Sequence, residues 1–266
     1  MKTPQIVIPM AGQGQRFADA GYALPKPLIP VAGIPMVVRV VRDLPDASRV
    51  VLLVRTEHIE KFSLDREIKK YLPNAILVPV ERLTEGQACT VRLAAEFLDP
   101  HAPVIVGACD NTHLYNRQAL AYRMARKDLS SLVWTYRGEP RVQIKPTAYG
   151  WVKTFKNSPL VEKVSCKVPI SQEPVKDHVV SGFFSFQSAQ LMNDAIDKMV
   201  AANHIVNNEF YMDTVPNVLI NDGHEVEVFE VEKYIGWGTP DDYEDFLKWE
   251  KYCANLGRRL SDSCIK

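Results

Sequence analysis

The chain has 266 residues, enough for one large α/β domain, and no Ser/Gly/Pro-rich linker or charge block divides it, so a single domain over 1–266 is expected. Lysine plus arginine equal aspartate plus glutamate at 32 each, which argues against a nucleic-acid or membrane partner and leaves any anion binding to local clusters. Five scattered cysteines, Cys89, Cys109, Cys166, Cys253 and Cys264, lack metal-ligand or C-x-x-C spacing, so they read as reduced thiols of a cytoplasmic protein. The apolar run at Ile6 to Met10 is too short for a signal peptide, and none approaches the ~20 residues of a membrane helix.

The first element is a strand over Gln5 to Met10, followed by Ala11-Gly12-Gln13-Gly14-Gln15-Arg16 and then Leu24-Pro25-Lys26-Pro27-Leu28. Glycines after a strand let backbone N–H groups approach a phosphate, while Arg16 and Lys26 add cations for its other oxygens. The prolines flanking Lys26 restrict the backbone and present the lysine on a stiff arm. Phe17 stands where a dinucleotide turn needs its third glycine, and Gly-Lys-Ser/Thr is absent, so neither common phosphate fingerprint applies.

Further strands are expected at Arg49 to Val54, Ala75 to Val80, Pro103 to Gly107 and Ser131 to Tyr136. Helical periods lie between them at Met36 to Leu44, Glu57 to Tyr71, Gly86 to Leu98 and Arg117 to Lys127. Apolar strands alternating with helices predict a mostly parallel sheet covered on both faces, which binds ligands at the carboxyl ends of its strands. The glycine loop, Glu81 and Asp110 fall at such ends. Strand-like runs at Tyr149 to Phe155, Leu160 to Lys167 and Val179 to Phe186 then predict an antiparallel extension. Helices near Ala189 to Ala202 and Asn208 to Asn221, and a strand at Glu225 to Val231, precede a last helix. That helix opens with Thr239-Pro240-Asp241-Asp242, where threonine caps and the aspartates are helix-start residues rather than metal ligands.

The G-x-G-x-R…P-K-P pattern resembles the signature of the sugar-1-phosphate nucleotidyltransferases, or nucleotide-sugar pyrophosphorylases. Gly86-Gln87-Ala88 resembles that family's G-x-A segment over the base, and Asp110 its metal aspartate. Tyr149-Gly150-Trp151-Val152 resembles its Y-G-x-V strand. Val161 to Pro169 resembles its E-K-P strand with Lys167 at the acceptor-phosphate lysine, and Gly236-Trp237-Gly238-Thr239-Pro240 its D-x-G-T-P. The resemblance implies a three-layer, doubly wound, Rossmann-like nucleotidyltransferase fold with an antiparallel extension. It also implies Mg²⁺ on Asp110, catalytic roles for Arg16, Lys26 and Lys167, and substrate contacts from Ala11, Gly12, Gly14, Glu81, Gly86, Ala88, Asp110 and Gly150. The expected partners are a nucleoside triphosphate and a small phosphorylated acceptor. A homo-oligomer stays open.

Two departures stand out: Cys166 replaces the glutamate of E-K-P, and Gly236 replaces the second metal aspartate, whose role would pass to the substrate phosphates or to Glu209 or Asp213. A thiol is a poor acceptor for a sugar hydroxyl, so an acceptor other than a plain hexose-1-phosphate is expected. Counting five residues before Gly86 reaches Glu81, where thymidylyl- and uridylyl-transferring relatives carry a base-reading glutamine. A carboxylate only accepts hydrogen bonds, which favours CTP, then GTP, over UTP and dTTP. A nucleotide-sugar-dependent glycosyltransferase and a non-catalytic nucleotide-binding relative are the alternatives. Thr112 removes the Asp-x-Asp the former needs, and Gly236 keeps the latter open.

Overall fold

A computed structural model describes residues 2–263; Cys264 lies outside them. Strand β1 (Gln5–Met10) leads through α1 (Gln15–Asp19), the hairpin β2 (Pro30–Val31) and β3 (Ile34–Pro35), and α2 (Met36–Asp43) to β4 (Arg49–Arg55). Helices α3 (Thr56–Phe62) and α4 (Leu64–Lys69) precede β5 (Ile76–Val80), and α5 (Gln87–Arg92) precedes β6 (Val104–Val106). These strands pair in parallel in the order β6-β1-β4-β5. Side chains alternate across the sheet: Ile6, Ile8 and Leu52 enter one apolar cluster with α2, while Val7, Val51 and Leu53 enter another with Ala88 and Val91 of α5. Cover on both faces makes three layers, as the continuous apolar runs predict.

The chain continues through β7 (Asn111–Leu114), α6 (Arg117–Met124), β8 (Leu129–Tyr136), β9 (Gly150–Thr154), β10 (Val161–Cys166) and β11 (His178–Phe186). Strand β11 joins the halves, pairing antiparallel with β6 through Phe184–Phe186 and with β9 through His178 and Val179. Its pairing with β8 breaks register between Val180 and Phe184, where Gly182 takes φ 86°. After α7 (Ala189–Ala201) and α8 (Val215–Asn221), β12 (Glu225–Glu230) pairs parallel with β8, and β13 (Lys233–Gly236) pairs antiparallel with β7 before α9 (Pro240–Ser263). Among the described residues no helix is long and apolar enough to cross a membrane.

Three expected helices come out shorter. Glu57 to Tyr71 is two helices, because Ser63 takes φ 49° and its N–H closes α3 onto Ile59 O at 2.9 Å. Gly86 to Leu98 holds only α5 and a 3₁₀ turn at Ala95–Phe97. The Asn208 segment becomes α-helical only at Val215, after a 3₁₀ turn at Met212–Thr214, since Asn207 and Asn208 take φ 48° and 62°, conformations asparagine tolerates better than most residues. At the last helix Thr239 Oγ1 accepts from the Asp242 N–H at 3.1 Å, and Asp242 pairs with Arg141 at 2.8 Å, so Asp242 is the helix-start residue expected.

Candidate active site

The chain leaves β1 into Gly12–Arg16, and Gly14 adopts φ 64°, the left-handed conformation for which glycine pays no Cβ penalty. This loop, Lys26, His58, Cys109 and Gly238 line a cavity of about 380 Å³ at the carboxyl ends of β1, β4 and β6. Lys26 sits on a 3₁₀ turn started by Pro25, and its Nζ pairs with Asp110 Oδ2 across 84 residues of sequence. Burial alone would lower the Lys26 pKa, but the Asp110 charge and hydrogen bond, with the nearby Cys109, together outweigh it and the ammonium is held above its ordinary value. Burial pushes Asp110 the other way, and Lys26, helped by Arg16, still holds the carboxyl below the usual range. Burial drives the Cys109 thiol up to about 12, so it is no nucleophile. Arg16 is exposed on the rim, and its guanidinium makes no hydrogen bond or ion pair among the described residues. The loop, Arg16 and Lys26 therefore share one cavity, and Asp110 is tied to it through its pairing with Lys26.

Asp110 is held from behind. The Trp237 N–H donates to its carbonyl at 2.7 Å, and a Cβ on Gly238 would come within 3.1 Å of its carboxylate. Asn116, not Asp110, caps α6, accepting from the Ala119 N–H at 2.9 Å. The β7–β13 pair aligns Gly236 with Asn111, and a Cβ on Gly236 would meet the Tyr234 ring at 2.7 Å. Phenol and ring thus fill the space that a side chain at 236 would enter. Among the described residues no three His, Cys, Asp or Glu side chains gather as a ligand set. The protein offers one carboxylate, Asp110, a donor set that fits Mg²⁺ where phosphate oxygens and waters complete the shell.

On the neighbouring side, Ala11, Gly12, Thr84, Gly86, Gln87 and Glu209 line a second cavity of about 370 Å³ that shares Pro9, Gly12 and Gln13 with the first. The structure corrects one expectation here. The Ala88 N–H, expected to face a base, donates to Phe210 O at 2.9 Å, and Ala88 is fully buried. The Phe210 N–H in turn donates to Glu85 O at 2.8 Å, and a Cβ on Gly86 would lie 2.4 Å from the Phe210 nitrogen. The G-x-A pattern here admits the backbone of Phe210. Glu81 is exposed and does not line the cavity, whereas Glu209 does, so the count back from Gly86 does not place a carboxylate at the wall.

Gly150 and Lys167 line neither cavity and lie on a separate wall, at the start of β9 and just past the end of β10. Cys166 pairs with Gly150 across β10 and β9, and a Cβ on Gly150 would fall 2.1 Å from Asp213 Oδ2, so the glycine makes room for that carboxylate. Burial raises the Asp213 pKa against the opposing charge of Lys167. Lys167, at φ 61°, donates from Nζ to Ala148 O at 2.6 Å and lies 5.2 Å from the centre of the Tyr211 ring. Burial first, then the Asp213 charge, pushes the Cys166 thiol up to about 12. Asp213 thus belongs to the Lys167 wall rather than to Asp110. Sequence reasoning missed His58 altogether. Its usable signal was position, three residues past Arg55 at the carboxyl edge of the parallel sheet.

A doubly wound sheet with a glycine loop, two cations and one carboxylate at its carboxyl edge defines an α/β nucleotide-binding transferase. The family model described as nucleotidyl transferase matches residues 6–250, and the chain belongs to that family. The bifunctional protein GlmU of Staphylococcus epidermidis is 25% identical over 228 residues, covering 86% of this chain and 48% of that protein. The chain thus spans about half the length of the curated relatives it matches. Two solved structures share the fold. The nucleoside-diphosphate-sugar pyrophosphorylase of Vibrio cholerae RC9 has TM-score 0.73 and 22% identity, covering 91% of this chain and 99% of its own. The inositol-1-phosphate CTP transferase of T. maritima has TM-score 0.69 and 13% identity, covering 91% and 92%.

Proposed function

We propose that this chain transfers a nucleoside monophosphate group, CMP favoured, from a nucleoside triphosphate to a phosphorylated sugar or another small phosphorylated metabolite. A phosphate oxygen of the acceptor attacks the α-phosphorus in line, the bond to the β-phosphate breaks, and pyrophosphate leaves. The carrying observation is the cavity at the carboxyl edge of the sheet lined by the Gly12–Gly14 loop, Arg16 and Lys26, with Asp110 paired to that lysine. The attacking phosphate is already ionised, so the protein need only position two anions and neutralise charge. Arg16 and Lys26 hold the departing pyrophosphate, and Lys167 holds the acceptor phosphate. Mg²⁺, held by Asp110, would supply charge neutralisation at the phosphates. Lys26 would then exchange its carboxylate partner for phosphate oxygens.

The CMP preference rests on a carboxylate beside the base: Glu209 lines the second cavity, and Glu81, exposed on the loop after β5, is the other candidate. Either accepts from the cytosine N4 amine and repels the O4 of uracil or thymine, a difference of roughly 1–3 kcal/mol in a desolvated site. Pyrophosphate release is measured across CTP, GTP, UTP and dTTP against a panel of phosphorylated acceptors, for wild type, Glu81→Gln and Glu209→Gln. CTP ranks first, one of the two variants relaxes the ranking, and glucose-1-phosphate is a poor acceptor because Cys166 offers its hydroxyls no carboxylate. No pyrophosphate from any pair would refute the transferase reading; equal kcat/KM for UTP and CTP would refute the base reading alone.

A further inference from the structure

His58 stands at the carboxyl end of β4, early in α3, and its ring forms part of the wall of the phosphate-side cavity with Gln13, Arg16 and Lys26. It is only 8% exposed, yet no hydrogen bond engages it among the described residues, and Nδ1 is fully buried without a partner. A buried polar atom left unsatisfied costs stability, and native structures retain few of them without a reason. The apolar side of the ring is accounted for by edge contact with Phe62, centroids 6.3 Å apart, but that contact would suit a phenylalanine equally well. Its neighbours repeat the pattern: Arg55 has one terminal guanidinium nitrogen, and Thr56 its hydroxyl, buried without a partner. Arg55 still pairs with Glu57 through its other terminal nitrogen, at 2.7 Å, and of these three residues only His58 lines the cavity that also holds two cations, where a ligand rich in acceptor oxygens would meet its ring. Burial first, then the Arg55 charge, holds the imidazole below its usual pKa, so near neutral pH it is an uncharged ring with one N–H to donate.

We propose that His58 is a polyphosphate-binding residue, donating a hydrogen bond from its imidazole to a β- or γ-phosphoryl oxygen of the triphosphate and so helping to hold the pyrophosphate that leaves. The assignment rests on the nucleotidyltransferase reading above and adds to it a contact from α3, a helix that reading does not use. Position separates its role from base recognition. His58 lines the cavity of Arg16 and Lys26 and not the adjoining one of Thr84, Gln87 and Glu209.

The test is calorimetric titration of the full chain with magnesium pyrophosphate and, separately, with CMP, for wild type, His58→Phe and His58→Gln, alongside thermal unfolding without ligand. His58→Phe keeps the ring against Phe62 and removes the unsatisfied nitrogen, so its melting temperature equals or exceeds that of wild type. Its pyrophosphate affinity falls about tenfold while CMP affinity stays within twofold. His58→Gln, which keeps an N–H donor, recovers most of the loss. Pyrophosphate affinity of His58→Phe within twofold of wild type would overturn the assignment, as would a parallel loss of CMP affinity. In either case pyrophosphate release by wild type from a triphosphate panel leaves the transferase reading standing. Failure of wild type to bind pyrophosphate or any triphosphate removes both.

Discussion

Replacing Lys26 by methionine keeps the aliphatic stem beside Phe17 and deletes the charge that Asp110 faces. Two unit charges about 3 Å apart at an effective dielectric of about 20 attract by about 5 kcal/mol, and desolvation of both groups offsets much of that. With side chains 15% and 22% exposed, the Asp110 charge left behind is mostly but not wholly buried. A net loss of about 2 to 3 kcal/mol of stability is expected, at or just below the range for broken buried pairs. Asp110→Asn loses a similar amount, but the double variant recovers most of it, because neither charge is then left alone. Urea denaturation of the four proteins reads this cycle, with an expected coupling of about 4 kcal/mol, the two single losses less the small loss of the double variant. The pH dependence has a definite sign. The folded Asp110 pKa lies below its unfolded value, so the pair's contribution is complete above about pH 4 and is lost as pH falls through the lower folded value. The folded Lys26 pKa is raised, so its side of the contribution is lost only as pH climbs past about 10.5. Turnover by Lys26→Met falls about a hundredfold or more, since a preorganised charge aimed at the departing pyrophosphate is gone. Stability losses that simply add in the double variant would refute the coupling, and near-normal turnover in folded Lys26→Met would remove the lysine from the reaction.

Gly150→Ala sets a methyl 2.1 Å from Asp213 Oδ2 and is expected to cost about 2 kcal/mol in urea denaturation. Asp213→Gly in the same chain restores most of that, and a Gly150→Ala protein as stable as wild type would show that the carboxylate does not pack there. Pyrophosphate release stops in EDTA and returns with Mg²⁺, and Asp110→Ala abolishes it at any metal concentration. Full activity in EDTA refutes the metal role.

The parallel half of the sheet was legible because its strands are uninterrupted apolar runs separated by helical periods. That the glycine loop, Arg16 and Lys26 lie at one cavity was legible because glycine, arginine and a lysine between prolines lie close together in sequence. The short pair β7–β13 was not, since Asn111-Thr112-His113-Leu114 has neither an apolar run nor alternation, and its burial comes from packing by distant segments. Gly86 and Gly150 were marked as special, but what passes over each, Phe210 and Asp213, lies more than 60 residues away. No local pattern carries such contacts. Glu81 shows the converse: a register counted from one glycine reached a residue on the exposed side of its loop.

Residues 209–213 touch two walls at once: Glu209 lines the second cavity, Phe210 is stitched to Glu85 and Ala88, and the Asp213 carboxylate rests on Gly150. Four peptide units can span at most about 14 Å, so this stretch works as a ruler between the two walls. If one wall receives the nucleoside and the other the acceptor, their separation is set by a length of covalent chain rather than by the softer packing of one half of the sheet on the other. An inserted residue here would shift one substrate against the other while leaving each wall intact.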